Sequence, residues 1–263
     1  MGTNVLEKIR ILMKAISVVR NWYLYVFIYL KFVRTENVIL ETRSGIKVML
    51  RVNSTDLMAF THVWLLGEYN RQGFEINDND IIIDIGAHIG LFALFASQFC
   101  KNGRIYCYEP IKENFNLLLL NLQLNKINNV KPYNTAVSQQ VGNVTIYLNE
   151  DESGHSMHVE GTKSIRAESD SLKNIIDSNK LEKCDLIKMD CEGEEYNIID
   201  SLPLDYFSKI SKMCIEYHFA DEKPHLVENL IKKLKAHSYD ISSRRISKSI
   251  GFVYAKNPKC VSI

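Results

Sequence analysis

The run Ile81-Ile82-Ile83-Asp84-Ile85-Gly86-Ala87-His88-Ile89-Gly90 decides the fold. Its β-branched apolar start predicts a buried strand. Two glycines then bracket a short loop, and Leu91 to Ser97 reads as the start of a helix. Such a turn brings backbone N–H groups close to a ligand, because glycine has no Cβ and tolerates positive φ. Nineteen residues after Gly90, a second strand-like run from Arg104 to Tyr108 ends in Glu109. An acid at that place can accept hydrogen bonds from both hydroxyls of a ribose. The first half of the chain therefore reads as a nucleoside-cofactor site.

Three details separate this loop from a dinucleotide or nucleotide-phosphate site. It contains no G-x-G-x-x-G. Asp84 stands just before it, where a pyrophosphate would meet a like charge and a sulfonium or amino group would meet an opposite one. No Lys or Arg lies between Ile81 and Phe99, whereas a P-loop needs its lysine. The combination suits S-adenosylmethionine better. A short-chain dehydrogenase would also need a Tyr-x-x-x-Lys pair on the helix after the fourth core strand, and none stands there.

Four segments together resemble the FkbM family of S-adenosylmethionine-dependent methyltransferases, over about residues 38–254. They are Asp84 to Gly90, Tyr108-Glu109-Pro110, Asn134 to Ser138, and above all Lys188-Met-Asp190-Cys-Glu192-Gly193-Glu-Glu195. At His88 the family commonly carries Asn; both can hydrogen-bond a neighbouring backbone or cofactor group. The resemblance implies a hydroxyl acceptor, such as a sugar, a glycan or a small natural product. It also implies that Asp84 and Gly86 line the methionine part of the cofactor, with His88 and Gly90 completing the loop, and that Ala136 packs near the adenine. Glu68-Tyr69 either closes over the cofactor or forms a structural turn. The polar stretch Ser153-Gly154-His155-Ser156 is expected to face the acceptor, because loops at this end of such sheets carry specificity.

The chemistry is expected at the carboxyl end of the fourth core strand. Alternate residues of a strand share a face, so Lys188, Asp190 and Glu192 point together if the chain stays extended to Glu192. Lys188 is then placed to pair with Asp190 and hold it ionised. The fifth strand ends in Glu216-Tyr217-His218. If the two strands are neighbours, Asp190, Glu192, Glu216 and His218 form one acid–base cluster. Either one of these groups takes the acceptor's proton directly, or several of them hold a divalent cation such as Mg or Mn that lowers the acceptor's pKa. The FkbM resemblance does not require a metal, and the metal-free route is preferred. A different class of reading is a cofactor-binding, non-catalytic partner module in a glycan-modifying assembly; the presence of Asp190 and Glu192 speaks against it.

Working outward, a hairpin is expected over 38–52 and a helix over 56–66. Core strands are expected at 81–85, 104–108, 130–137, 185–189 and 212–217, with helices between them. An edge strand follows at 142–148, an irregular segment at 152–168, and a closing hairpin at 239–243 and 251–255. This is an α/β chain with a doubly wound, mostly parallel, seven-stranded Rossmann-like sheet and a terminal antiparallel hairpin. The expected division is an N-terminal helical extension over 1–36 and a methyltransferase domain over 37–263. Within that domain, 38–70 forms a hairpin and helix cap and 80–257 the core.

The 263 residues carry a net charge of +1, which gives no electrostatic support for nucleic-acid binding. Six cysteines without a C-x-x-C pair indicate neither a zinc site nor a redox motif and suit a reducing cytoplasm; Cys107, Cys191 and Cys214 are expected in core strands. The apolar run from Trp22 to Leu30 is too short to span a bilayer. It reads as a helical cap, packed on the domain or on a second subunit of a homo-oligomer. The alternative is an interfacial helix in peripheral contact with a membrane.

Overall fold

The structure is a computed structural model, and it describes residues 5–148 and 163–260. The expected acceptor-facing stretch from Ser153 to Ser156 lies outside the described residues.

Two helices, α1 (Val5–Val18) and α2 (Trp22–Tyr29), precede the hairpin β1 (Asn37–Glu41) and β2 (Lys47–Arg51). Helix α3 (Asp56–Phe60) continues as a π-helical turn, Thr61–Leu66, and stops at Gly67 in the left-handed region, φ 65°. The core then alternates: β3 (Ile81–Ile85), α4 (Leu91–Ala96), β4 (Arg104–Tyr108), α5 (Lys112–Leu124) and β5 (Val130–Tyr133). Three short strands follow, β6 (Ala136–Ser138), β7 (Gly142–Leu148) and β8 (Lys163–Ser171), and then α6 (Leu172–Ser178). The last part runs through β9 (Leu186–Met189), α7 (Glu195–Ser201), β10 (Lys212–Tyr217), α8 (Pro224–Ala236), β11 (Asp240–Arg245) and β12 (Gly251–Lys256).

The seven-stranded sheet has the order β11-β12-β10-β9-β3-β4-β5. Its five core strands are parallel, and β12 runs antiparallel to both β10 and β11. From β3 the chain winds outward through β4 and β5, then returns to β3's other side with β9. The carboxyl ends of β3 and β9 thus flank the switch point, where such sheets open a crevice for ligands. The strands are mostly apolar because both faces are covered. Ile82, Ile105, Leu186 and Cys214 pack toward α4, α5 and the N-terminal helices. Ile83, Tyr106, Ile187 and Ile215 pack toward α6, α7 and α8. Among the described residues no helix is long and apolar enough to cross a membrane.

Three local expectations give way. The third strand splits: Val130–Tyr133 stays in the main sheet, while Ala136–Ser138 joins β7 and β8 in a separate three-stranded sheet. Asn134 makes the break, its side-chain amide donating to the Glu109 and Pro110 carbonyls at 2.9 and 3.0 Å. Residues 163–171, expected within or beside an irregular segment, form β8, paired with β7 from Lys163 to Ser169 and with β6 from Ser169 to Ser171. Only Ile165 and Ala167 mark its inner face, too few apolar residues for the alternation to show. Cys191 also falls outside a strand, since β9 ends at Met189.

Candidate active site

The glycine loop is held by the end of β4. Gly86 and Ala87 N–H both donate to the Tyr108 carbonyl at 3.0 Å, and His88 N–H donates to Glu109 Oε2 at 2.8 Å. These amides are therefore spent on the protein, and the glycine is needed for a different reason. Gly86 has φ 72°, and a Cβ there would run into the Asp190 carbonyl oxygen. The loop and the end of β9 can touch only because position 86 has no side chain. Gly90 has φ 84°, a Cβ there would crowd Leu118 of α5, and the residue does not line the cavity.

Glu109 is buried at the cavity wall. Its other oxygen accepts from Ile111 N–H at 2.9 Å. Burial pushes its pKa up to about 7, against the opposing pull of the Ile111 and His88 amides. Beside it, Ile111, Ala136 and Ile146 form an apolar slot. A buried acid next to such a slot fits a ribose and an adenine ring.

Asp84 does not line the cavity. It is fully buried behind the loop, with Oδ1 3.2 Å from Lys188 Nζ. Lys188 thus pairs first with Asp84, and Asp190 Oδ2 is farther away at 4.0 Å. The ammonium also donates to the Gly86 carbonyl at 2.6 Å. Burial acts to lower the Lys188 pKa, but Asp84 and Asp190 outweigh it and hold it above its ordinary value. The acid expected to greet a cationic cofactor is therefore matched by a lysine within the fold.

Strands β9 and β10 are parallel neighbours, and their ends bring Asp190, Glu192, Glu216 and His218 together. The chain does not stay extended: Glu192 has φ 52° and Gly193 φ 107°, so it turns sharply into α7. Glu192 still faces the cavity, with Oε2 3.5 Å from His218 Nε2; Asp190 Oδ1 is 3.8 Å from the same nitrogen. The other ring nitrogen, Nδ1, lies 3.3 Å from Glu195 Oε1. Glu195 is fully buried and also accepts from the N–H groups of His218 and Gly193, each at 2.8 Å. Burial works to lower the His218 pKa, yet Glu195, Glu192 and Asp190 drive it well above its ordinary value. The carboxylates around His218 thus favour its protonated form. Burial pushes Glu192 up to about 7 despite His218, and pushes Glu216 up to about 8 with help from Asp190.

The segment before β3 supplies residues whose placement sequence reading left open or missed. Tyr69 Oη donates to Glu216 Oε2 at 2.9 Å and also reaches Asp190 Oδ2 at 3.3 Å. Glu68 lines the cavity, but its carboxylate is taken by His62 Nδ1 at 3.0 Å and by Arg244 of β11. Arg51 of β2 binds the fully buried Asp56 at 2.7 Å, Asn114 at 2.9 Å and His88 Nε2 at 3.2 Å. Burial takes the His88 pKa down to about 4, so the neutral ring accepts from Arg51 and ties the loop to the N-terminal hairpin.

Glu109, Ala136, Glu192 and His218 all line one open cavity of about 1730 Å³ at the switch point. Residues 84–241, which include every one of these positions, match the Methyltransferase FkbM domain. The chain belongs to the FkbM methyltransferase family. It is 22% identical over 162 residues to Methyltransferase 1 of Beauveria bassiana, covering 53% of this chain and 65% of that protein. It is 23% identical over 171 residues to Methyltransferase sdnD of Sordaria araneosa, covering 52% and 66%. The chain thus spans slightly less than two thirds of either relative. Its fold is similar to the crystal structure of Methyltransferase FkbM from Methylobacillus flagellatus, with a TM-score of 0.51 and 18% identity over 76% of this chain and 53% of that one. The Rossmann-like sheet of this FkbM chain is a methyltransferase fold.

Proposed function

We propose that this FkbM chain is an S-adenosylmethionine-dependent O-methyltransferase acting on a hydroxyl of a sugar, a glycan or a small natural product. One observation carries the reading: a single cavity is lined on one side by Glu109 and an apolar slot, and on the other by a carboxylate whose pKa is tuned to about 7. S-adenosylmethionine supplies an already activated methyl group, so alignment is most of what the protein must add.

In this reading Glu109 accepts from the ribose hydroxyls, and Ile111, Ala136 and Ile146 receive the adenine. Glu192 accepts the acceptor's hydroxyl proton, since a base works best with a pKa near the working pH. His218, which the surrounding carboxylates favour in its protonated form, is not assigned that role. It holds Asp190 and Glu192 in place and offsets their charge. Asp190, Glu216 and His218 present ligand atoms within 4.8 Å of one another, a spacing that suits a divalent ion. The FkbM resemblance does not require a metal, so we favour direct proton transfer. Turnover should then survive EDTA; loss restored by Mg or Mn would overturn the preference.

The test of the cofactor is calorimetric titration with S-adenosylhomocysteine, with NAD in parallel. Micromolar binding of the first and none of the second is expected. Binding of NAD alone would refute the assignment.

A further inference from the structure

Helix α1 carries two apolar faces. Ile11, Ala15 and Val18 pack into the core. Val5, Ile9 and Leu12 repeat the same i, i+4, i+7 spacing on a second face, with Leu6 and Met13 beside them, and all five are exposed; Leu6 is 73% accessible. Helix α2 continues the pattern. Tyr23 and Phe27 meet edge to face at 6.4 Å, Phe27 meets Phe32 at 6.5 Å, and all three rings are exposed. Exposed aromatic rings of this kind suit the boundary between water and lipid.

Charge points the same way. From Val5 to Arg34 the exposed basic residues Lys8, Arg10, Lys14, Lys31 and Arg34 stand against Glu7 alone, while Arg20 is paired with Glu41 at 2.8 Å. A surface that is both apolar and basic complements an anionic bilayer. The cavity adds a third observation. Val5, Ile9, Leu12, Leu30, Met58 and Leu66 line its N-terminal arm, and the same cavity reaches Asp190 and His218. A second copy of the chain seated on this face would cover that arm, whereas a bilayer surface would feed it.

We propose that α1 and α2 seat this protein on an anionic phospholipid surface, and that the cavity receives a membrane-borne, amphiphilic acceptor through its N-terminal arm. The acceptor part rests on the methyl-transfer reading above; the docking part does not.

The test is flotation of the full chain with vesicles of phosphatidylcholine alone and of phosphatidylcholine mixed with phosphatidylglycerol. S-adenosylhomocysteine titration is run on the same samples. The wild type should float only with the mixed vesicles. Leu6→Asp with Met13→Asp, which lie outside the cavity lining, should lower the bound fraction on the order of tenfold and leave S-adenosylhomocysteine binding unchanged. Lys8→Glu with Lys14→Glu should also lower it on the order of tenfold, since each basic residue near an anionic surface contributes to binding. A wild type that binds S-adenosylhomocysteine but floats with neither vesicle overturns the proposal. So does a wild-type dimer that Leu6→Asp with Met13→Asp converts to a monomer, without flotation. Flotation without S-adenosylhomocysteine binding would keep the docking surface and remove the methyl-transfer reading.

Discussion

The two walls of the cavity are held by different kinds of interaction. The loop wall is built mostly from the main chain, with the amides of Gly86 and Ala87 fastened to the Tyr108 carbonyl and that of His88 to the Glu109 carboxylate. The acid wall is built from side chains, with His218 set among Asp190, Glu192 and Glu195. A main-chain wall keeps its shape whatever most of its side chains are, while a side-chain wall depends on a balance of charges. The first is suited to holding a constant cofactor and the second to tuning a proton transfer. Perturbations should therefore separate binding from turnover.

Gly86→Ala should produce the largest effect, because it strikes the seam. A Cβ there meets the Asp190 carbonyl oxygen, at a φ of 72° that alanine rarely adopts. We expect a loss of about 3 kcal/mol or more of stability, by analogy with other strained and overpacked sites, and loss of both cofactor binding and turnover. Thermal denaturation and calorimetry check this. A variant with wild-type stability would show that the walls do not touch as described.

Glu192→Gln should break one wall only. Turnover should fall by about 10²–10⁴-fold, the usual worth of a positioned base, while S-adenosylhomocysteine affinity stays unchanged. The pH–rate profile gives a second readout. Because burial raises the Glu192 pKa to about 7, the wild-type rate should climb as pH rises through that value and the base ionises. The variant should lack that limb. Parallel loss of affinity would mean that the walls are not separable.

The same contrast explains what could be read from the sequence. The loop wall is nearly contiguous: strand, glycines and the following acid announce themselves within Ile81 to Glu109. The meeting of Asp190, Glu192, Glu216 and His218 rested on two assumptions: that β9 and β10 are neighbours, which holds, and that the chain stays extended to Glu192, which does not. Other contacts were hidden by distance along the chain. Tyr69 reaches Asp190 and Glu216 across 121 and 147 residues, and Arg51 reaches Asn114 across 63. No local pattern encodes such a meeting. Lys188 was matched to only one of its two acids for a similar reason: spacing along β9 pointed to Asp190, and the parallel register also sets Lys188 opposite Asp84 of β3, the nearer of the two. Glu195 stood in plain view as the last acid of the Lys188 motif. Its place under His218 depended on the sharp turn at Glu192, which no residue type demanded.

Glu109→Gln should weaken S-adenosylhomocysteine by about 1.5–3 kcal/mol, the range for a hydrogen bond to a charged group, with a smaller effect on turnover at saturating cofactor. Ribose hydroxyls donate best to the ionised carboxylate, and burial places the free protein's Glu109 pKa at about 7. Below that pH a proton must leave on binding, so wild-type affinity should fall as pH drops through about 7. Proton release should appear as a dependence of the binding enthalpy on buffer. Affinity independent of pH in the wild type would place the ribose elsewhere.

Tyr69→Phe should have the smallest effect. The ring stays in place between Phe92 and Phe252, at 5.6 and 5.5 Å, so only the hydroxyl is lost. That hydroxyl steadies Glu216 and restrains its pKa, which burial and Asp190 push up. Without it Glu216 should hold its proton to higher pH, and turnover should drop by roughly two- to tenfold, as expected for one hydrogen bond worth about 0.5–1.5 kcal/mol. S-adenosylhomocysteine affinity should not change, since the lost hydroxyl bonds only Asp190 and Glu216 of the acid wall. A loss as large as that of Glu192→Gln would instead mean that the Tyr69 hydroxyl acts directly on the acceptor, and that the segment before β3 belongs to the chemistry as much as β9 and β10 do.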